Sequence, residues 1–150
     1  MLLLYTGQRR SDVVKMRWSQ FDGDVIEVVQ RKTSEYVPIP CHHRLRSILS
    51  VLPRRNDFIL TGEQGRPYKA DTLTVMVCRQ LHAIGIKGYT VHGLRKNAAQ
   101  ALAEAGCTIS EIMAITGHRS PAMAMHYAKR AEKKHLARAA INKREGGRSV

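Results

Sequence analysis

Acidic residues are scarce in this 150-residue chain: 12 Asp and Glu stand against 25 Lys and Arg, a formal net charge of +13. The pI is near 10.2. That imbalance argues against a basic partner and favours a polyanion, because each phosphate contact releases a condensed counterion. Charge alone does not separate DNA from RNA or from an acidic membrane surface. Aromatic residues are also few, one Trp, two Phe and five Tyr, so the core is expected to be aliphatic. Cys41, Cys78 and Cys107 are widely spaced and contain no CxxC, which excludes a disulfide frame and reads as reduced thiols. No apolar run reaches 18 residues, and MLLLYTG is short and runs into charge, so neither a membrane span nor a signal peptide is expected. The expected setting is therefore soluble and cytoplasmic. Neither a Walker loop nor GxGxxG occurs, so nucleotide-dependent chemistry has no support and no cofactor is expected.

At this length one domain with a real hydrophobic core is expected, without staples. Met1 to Tyr5 reads as the end of an apolar helix that Thr6-Gly7 breaks, and Ser11-Asp12 as the cap of a helix carrying Val13, Val14, Met16 and Trp18. Val25 to Val29 and Tyr36 to Ile39 are β-rich and flank a polar loop, an antiparallel hairpin pattern. A helix follows from about His42 to Leu52, with Leu45, Ile48, Leu49 and Leu52 on one face, then a short strand at Phe58 to Leu60 and a helix over about 71–84. His92 to Ala105 is helical in composition. Thr108-x-x-Glu111 is a capping box, Gly117 ends that helix, and Ser120-Pro121 starts the next. From Lys129 onward the chain reads as a basic helix to about Asn142 and then a frayed tail.

Four residues of the second half, His92, Arg95, His118 and Tyr127, fall at the spacing H-x2-R-x22-H-x8-Y. Each can act on a phosphodiester. Breaking that linkage without a metal requires charge neutralisation of the non-bridging oxygens, a nucleophile, and a proton for the leaving 5′ oxygen. Arginine meets the first need with a permanent charge and a planar fork that matches phosphate. Arg9 and Arg95 are the candidate clamps. His92 and Arg95, three residues apart, share a helix face. His118 and Tyr127, nine apart, would face opposite ways on one unbroken helix, but the Gly117 break removes that objection. A tyrosine hydroxyl titrates near ~10 in water, so it needs neighbouring cations to become a nucleophile. No His/Cys/Asp/Glu spacing supports a metal site; Cys41-His42-His43 has no second ligand cluster.

The segments TGQRRSDVVKMRW (Thr6 to Trp18), QRKTSEYVPIP (Gln30 to Pro40), HGLRKNAAQALAEAG (His92 to Gly106) and ITGHRSPAMAMHY (Ile115 to Tyr127) occur in order. In them the chain resembles the catalytic domain of the tyrosine recombinases, or phage integrase family, from Met1 to about Ala140. The resemblance implies an α+β, mainly α-helical fold with a small antiparallel sheet at one edge. It implies site-specific DNA recombination through a 3′-phosphotyrosyl intermediate, with Arg9, Lys32, His92, Arg95, His118 and Tyr127 as catalytic residues. Lys32, the one lysine of the hairpin, would protonate the leaving oxygen, and Asp12 would orient Arg9 or nearby backbone. Residues 1–142 would form the catalytic domain, its first helix truncated, and 143–150 a basic flexible tail. An N-terminal core-binding domain is not among these residues, so weak activity of the chain by itself is expected. The implied partners are double-stranded DNA and other protomers, as a tetramer on paired sites, with the Ala131 to Ile141 helix either packing on a neighbour or folding back. Origin in a bacterium or a phage fits this family.

Taken singly, each residue has a plainer reading. Arg9 beside Arg10 can be a solvated pair, His92 a helix cap, His118 a loop histidine, Tyr127 core and Lys32 a turn lysine. The joint occurrence in family order is what argues against those. Two rival functions remain: a non-catalytic helix-turn-helix DNA binder, which SEIMAITGHRSPAMAMHY resembles in outline, and a type IB topoisomerase. The first predicts that Arg9, Lys32 and Tyr127 are dispensable.

Overall fold

The structure, a computed structural model, describes residues 1–62 and 64–146. It is mainly helical with one two-stranded antiparallel sheet. Helix α1 (Leu2–Thr6) ends at Gly7 in the left-handed conformation, φ 61°. A β-carbon at Gly7 would sit 3.4 Å from both Ala98 and Thr116, so the chain turns where three elements cross.

The next helix is shorter than the sequence pattern led us to expect. Helix α2 is one turn, Arg10–Val13, preceded by Arg9 instead of being capped by Ser11-Asp12. Met16 and Trp18 are buried, but outside α2, on either side of extended Arg17, with Trp18 opening a 3-10 turn: Ile59 N–H donates to the Met16 carbonyl at 2.9 Å, and Trp18 N–H to the Asp57 carbonyl at 2.8 Å. Partner backbone thus claims the groups that another helical turn would have used. The strand expected at Phe58 to Leu60 reduces to a single bridge between Phe58 and Arg17 for the same reason.

Strands β1 (Val25–Val29) and β2 (Tyr36–Pro40) pair in the register Val25 to Pro40 through Val29 to Tyr36. Ile26, Val28, Val37 and Ile39 face the core while their alternates face out, the period of two that the sequence shows. Pro38 and Pro40 are tolerated because a two-stranded sheet is all edge. Helix α3 (His43–Val51) buries Leu45 and Leu49; Ile48 and Leu52 stay at the rim. Helix α4 (Ala70–Ala83) is tied to the start of α2 by Arg10, whose guanidinium reaches Asp71 and Thr74 at 2.7 Å each.

Helix α5 (Val91–Glu104) is central, touching α1, α4, α6 and α7. Its buried face, with Ala98, Ala99 and Ala103, is small enough to admit neighbouring helices closely. Thr90 caps it, accepting from Gly93 N–H at 3.1 Å. Helix α6 (Ile109–Thr116) starts on the expected Thr108–Glu111 capping box and ends on left-handed Gly117, φ 65°. Helix α7 (Pro121–Arg144) then restarts behind Ser120. It is a single helix of 24 residues, so the Tyr127 segment and the basic segment are continuous. Ala124, Tyr127 and Ala131 turn inward and Lys134 and His135 reach Glu104 on α5 at 3.1 and 3.3 Å, whereas Leu136 and Ile141 remain exposed. Of the expected tail, 143 and 144 are still helical, and 147–150 lie outside the described residues.

Gly117 is the most tightly enclosed glycine among the described residues. A β-carbon there would stand 2.3 Å from Gln30 Nε2 and 2.8 Å from Val37 Cγ2, on backbone that disfavours L side chains. Gly117→Ala is expected to cost about 1–3 kcal/mol, read as a lower urea midpoint with an unchanged slope.

Candidate active site

The two arginines arrive from opposite ends of the sequence and carry different environments. Arg9, at the start of α2, remains partly exposed; its Nη1 donates to Gln30 Oε1 at 2.6 Å and lies 3.9 Å from Asp12 Oδ2. Asp12 is buried, and its Oδ1 accepts the Arg31 N–H at 3.0 Å, so one carboxylate touches both the arginine and the hairpin loop. Arg95, on α5, is only 4% exposed. Its Nη1 donates to the Gly7 carbonyl at 2.7 Å, but its Nη2 is buried and has no hydrogen-bond partner among the described residues. Burial, and secondarily Arg9, lowers its pKa to about 10, with Asp12 and Tyr127 acting the other way. At neutral pH the group stays cationic, and an anion would satisfy the unmatched donor.

A buried amide joins these pieces, and it was not anticipated. Gln30 Nε2 donates to Gln8 Oε1 at 2.6 Å and to the Thr116 carbonyl at 2.8 Å, while its Oε1 accepts from Arg9 and, at 2.8 Å, from Thr33. Gln8 in turn donates to the Ile115 carbonyl at 2.8 Å. Gln30 therefore links the first arginine, the hairpin loop and the turn before His118. The sequence does hold one signal for it: Gln30 continues the inward alternation of Ile26 and Val28.

Arg9, Lys32, His92 and Arg95 line one hollow of about 470 Å³, together with Gln8, Arg10, Ser11 and Val91. Lys32 and His92 are exposed at its rim. His118 is half-buried beyond Gly117, with Nδ1 2.7 Å from Thr116 Oγ1. Its pKa is lowered to about 4, first by burial and then by Arg95, Arg9 and His92, which shows that it shares their field.

His118 lines a neighbouring hollow with Glu35 and Tyr36, and Tyr127 stands outside the arginine hollow. It is buried beside Ala99, Ala103 and Ile112 and lines a different hollow between α5 and α7, with Lys96, Arg130 and Lys133. Burial raises its pKa more than Arg95 lowers it, so the phenol is protonated here. Among the described residues no group of three or more His, Cys, Asp or Glu is placed to hold a metal ion. His42, flagged by its neighbours in the sequence, instead caps α3 and stacks on Tyr5 with ring centroids 4.6 Å apart.

A mainly helical domain with an edge hairpin, carrying two arginines, a hairpin lysine and a histidine around one hollow, has the fold of the tyrosine recombinase catalytic domains. The XerA recombinase structure superposes with a TM-score of 0.78 at 21% identity, covering 92% of this chain and 55% of that one. A lambda integrase (75–356) dimer bound to a COC′ core site gives 0.73 at 25% identity, covering 85% and 49%. The integrase of Mycobacterium phage L5 is 37% identical over 70 residues, 47% of this chain and 19% of that one. The model of the phage integrase family matches residues 1–134, and the chain belongs to that family. It spans less than half the length of the curated relatives it matches.

Two outcomes test the site's physics. Gln30→Ala leaves the Gln8 side chain and the Thr116 carbonyl unpaired and is expected to cost about 2–4 kcal/mol by chemical denaturation. Because the His118 pKa is depressed on folding, the unfolded chain binds more protons between its ordinary value of 6.5 and about 4. The stability it contributes is complete above that window and is lost as pH falls through it. His118→Gln should therefore flatten the stability profile between pH 6.5 and 4, measured by urea midpoints across that range.

Proposed function

We propose that this chain is the DNA-breaking and rejoining domain of a site-specific recombinase, forming a 3′-phosphotyrosyl link through Tyr127. The observation that carries this reading is the convergence of Arg9, Lys32, His92 and Arg95 on one hollow, although residues 9 and 95 are far apart in sequence. Arg9 and the unmatched Nη2 of Arg95 hold the non-bridging oxygens of the scissile phosphate. The Tyr127 oxygen attacks phosphorus, the bond to the 5′ oxygen breaks, and Lys32 protonates that leaving oxygen. The phenolic proton passes to His92 at the rim. The covalent ester keeps the bond energy for rejoining, so no nucleotide is consumed. Asp12 supports Arg9 and the hairpin from behind.

Tyr127 has to move from its place between α5 and α7 to reach a phosphate in the hollow, a rearrangement that duplex binding would drive. The partners in this reading are double-stranded DNA and further protomers acting as a tetramer on paired sites. Support comes from the charge of +13, from a neighbour solved as a DNA-bound dimer, and from the exposed Leu136 and Ile141 on the distal half of α7. In this reading residues 1–142 constitute the catalytic unit, acting in the bacterial cytoplasm. Among the described residues no helix is long and apolar enough to cross a membrane.

The test is covalent capture on a pool of nicked duplexes of randomised sequence, where the lost strand fragment traps the intermediate. An adduct is expected with the unaltered protein and none with Tyr127→Phe; an adduct that survives in Tyr127→Phe rejects the nucleophile. Loss of the adduct on chelating divalent metals rejects the metal-free route. Arg9→Ala and Arg95→Ala should each slow capture by about 10²–10³-fold, and near-normal rates would place them outside the site. The helix-turn-helix reading predicts no adduct even with the unaltered protein and unchanged duplex binding when Arg9, Lys32 or Tyr127 is replaced, and the inward-turned Ala124, Tyr127 and Ala131 already make α7 a poor reading helix.

A further inference from the structure

Thr116 closes α6 with a side chain that is fully buried, and its hydroxyl makes two contacts. One is to the Ile112 carbonyl at 2.6 Å, the other to His118 Nδ1 at 2.7 Å. A carbonyl can only accept, so the single hydroxyl hydrogen of Thr116 belongs to the Ile112 contact. The contact with His118 then requires the hydrogen to come from the imidazole, as Nδ1–H donating to Oγ1. A neutral imidazole carrying its hydrogen on Nδ1 has a bare Nε2, which accepts and does not donate. The non-bridging oxygens of a phosphodiester also only accept.

We infer that Thr116 is a positioning residue that holds His118 in the Nδ1–H tautomer, so that His118 engages a DNA phosphate through Nε2 only by first taking up a proton. This rests on the reading that a scissile phosphate enters the site. The surroundings fit such a coupling. Arg9, Arg95 and His92 face His118 from α2 and α5, Glu35 and Tyr36 share a hollow with it from the hairpin, and Arg119 follows it, paired to Glu35 at 3.5 Å. Burial first, and then these cations, keep the ring neutral in the free protein, with a pKa of about 4. A phosphate brings negative charge against Arg9 and Arg95, removes much of that repulsion, and favours the imidazolium. His118 is then a group whose charge appears with the DNA.

Two variants separate the hydroxyl from the packing. T116V keeps the branched shape, including the methyl that approaches Gly7, and removes the oxygen; T116S keeps the oxygen. Nitrogen NMR of the imidazoles in the free chain at pH 7.5, with His118 assigned by its loss in His118→Gln, reads the tautomer directly. A protonated Nδ1 and bare Nε2 are expected in the unaltered protein and in T116S, and a shift toward Nε2–H in T116V. An Nε2–H ring in the unaltered protein overturns the inference. Titration with a random-sequence duplex, by calorimetry in buffers of different ionisation enthalpy, then counts protons. The unaltered protein and T116S are expected to take up one proton more than T116V and His118→Gln. Their affinity should rise by up to about tenfold for each unit fall in pH between the free value and the higher value in the complex. Equal uptake in all four proteins overturns the coupling. Failure of the unaltered protein to bind duplex at any pH defeats the recombinase reading instead, and leaves the tautomer result standing.

Discussion

The amide of Gln30 is the joint on which the site depends. It is fully buried, and its four hydrogen bonds reach α1–α2 through Gln8 and Arg9, the hairpin loop through Thr33, and the α6–α7 turn through the Thr116 carbonyl. An unmet donor or acceptor at that depth would cost about 1–3 kcal/mol, so each bond constrains where its partner lies. Arg9 is aimed by an acceptor that the hairpin supplies, and the turn before His118 is pinned by a donor on the same side chain. Gly117 is glycine because the amide passes where a β-carbon would be.

Around that joint the protein gathers more positive charge than it neutralises. Arg9, Arg95, Lys32 and His92 line the hollow, His118 shares their field from beyond Gly117, and Asp12 is the buried anion set against the arginines. Burial, and after it this excess, depresses Arg95 and His118, and one Arg95 donor is left with no partner among the described residues. These are properties of a site prepared for an anion, and the cost of preparing it is met by the aliphatic core of α1, α3 and the hairpin. Tyr127 stands apart, its phenol kept protonated in the alanine-rich packing of α5 and α7.

Much of the fold was legible from local rules. The hairpin alternation, the Thr108–Glu111 box, the Gly117 stop and the Ser120-Pro121 start each involve residues close in sequence, where turn and cap chemistry operate without help. The segment after Asp12 was not legible. Val13 to Trp18 has an apolar pattern compatible with a longer helix, but backbone from Asp57 and Ile59 takes its hydrogen-bonding groups, and no window of that segment contains those residues. The long basic helix was likewise read as a separate element, since nothing local announces that α7 runs unbroken from Pro121 to Arg144.

By itself the sequence determined the chemistry available: two arginines, a hairpin lysine, two histidines and a tyrosine in a family order, with a charge that calls for a polyanion. Those are matters of residue type and spacing, which folding does not alter. Only the tertiary structure decided which of them meet, that Gln8 and Gln30 hold them, that the Thr116 hydroxyl meets the His118 ring, and that Tyr127 lines a separate hollow between α5 and α7. Protonation, tautomer and reach depend on burial and on charges brought from distant segments, and those exist only once the chain has closed on itself.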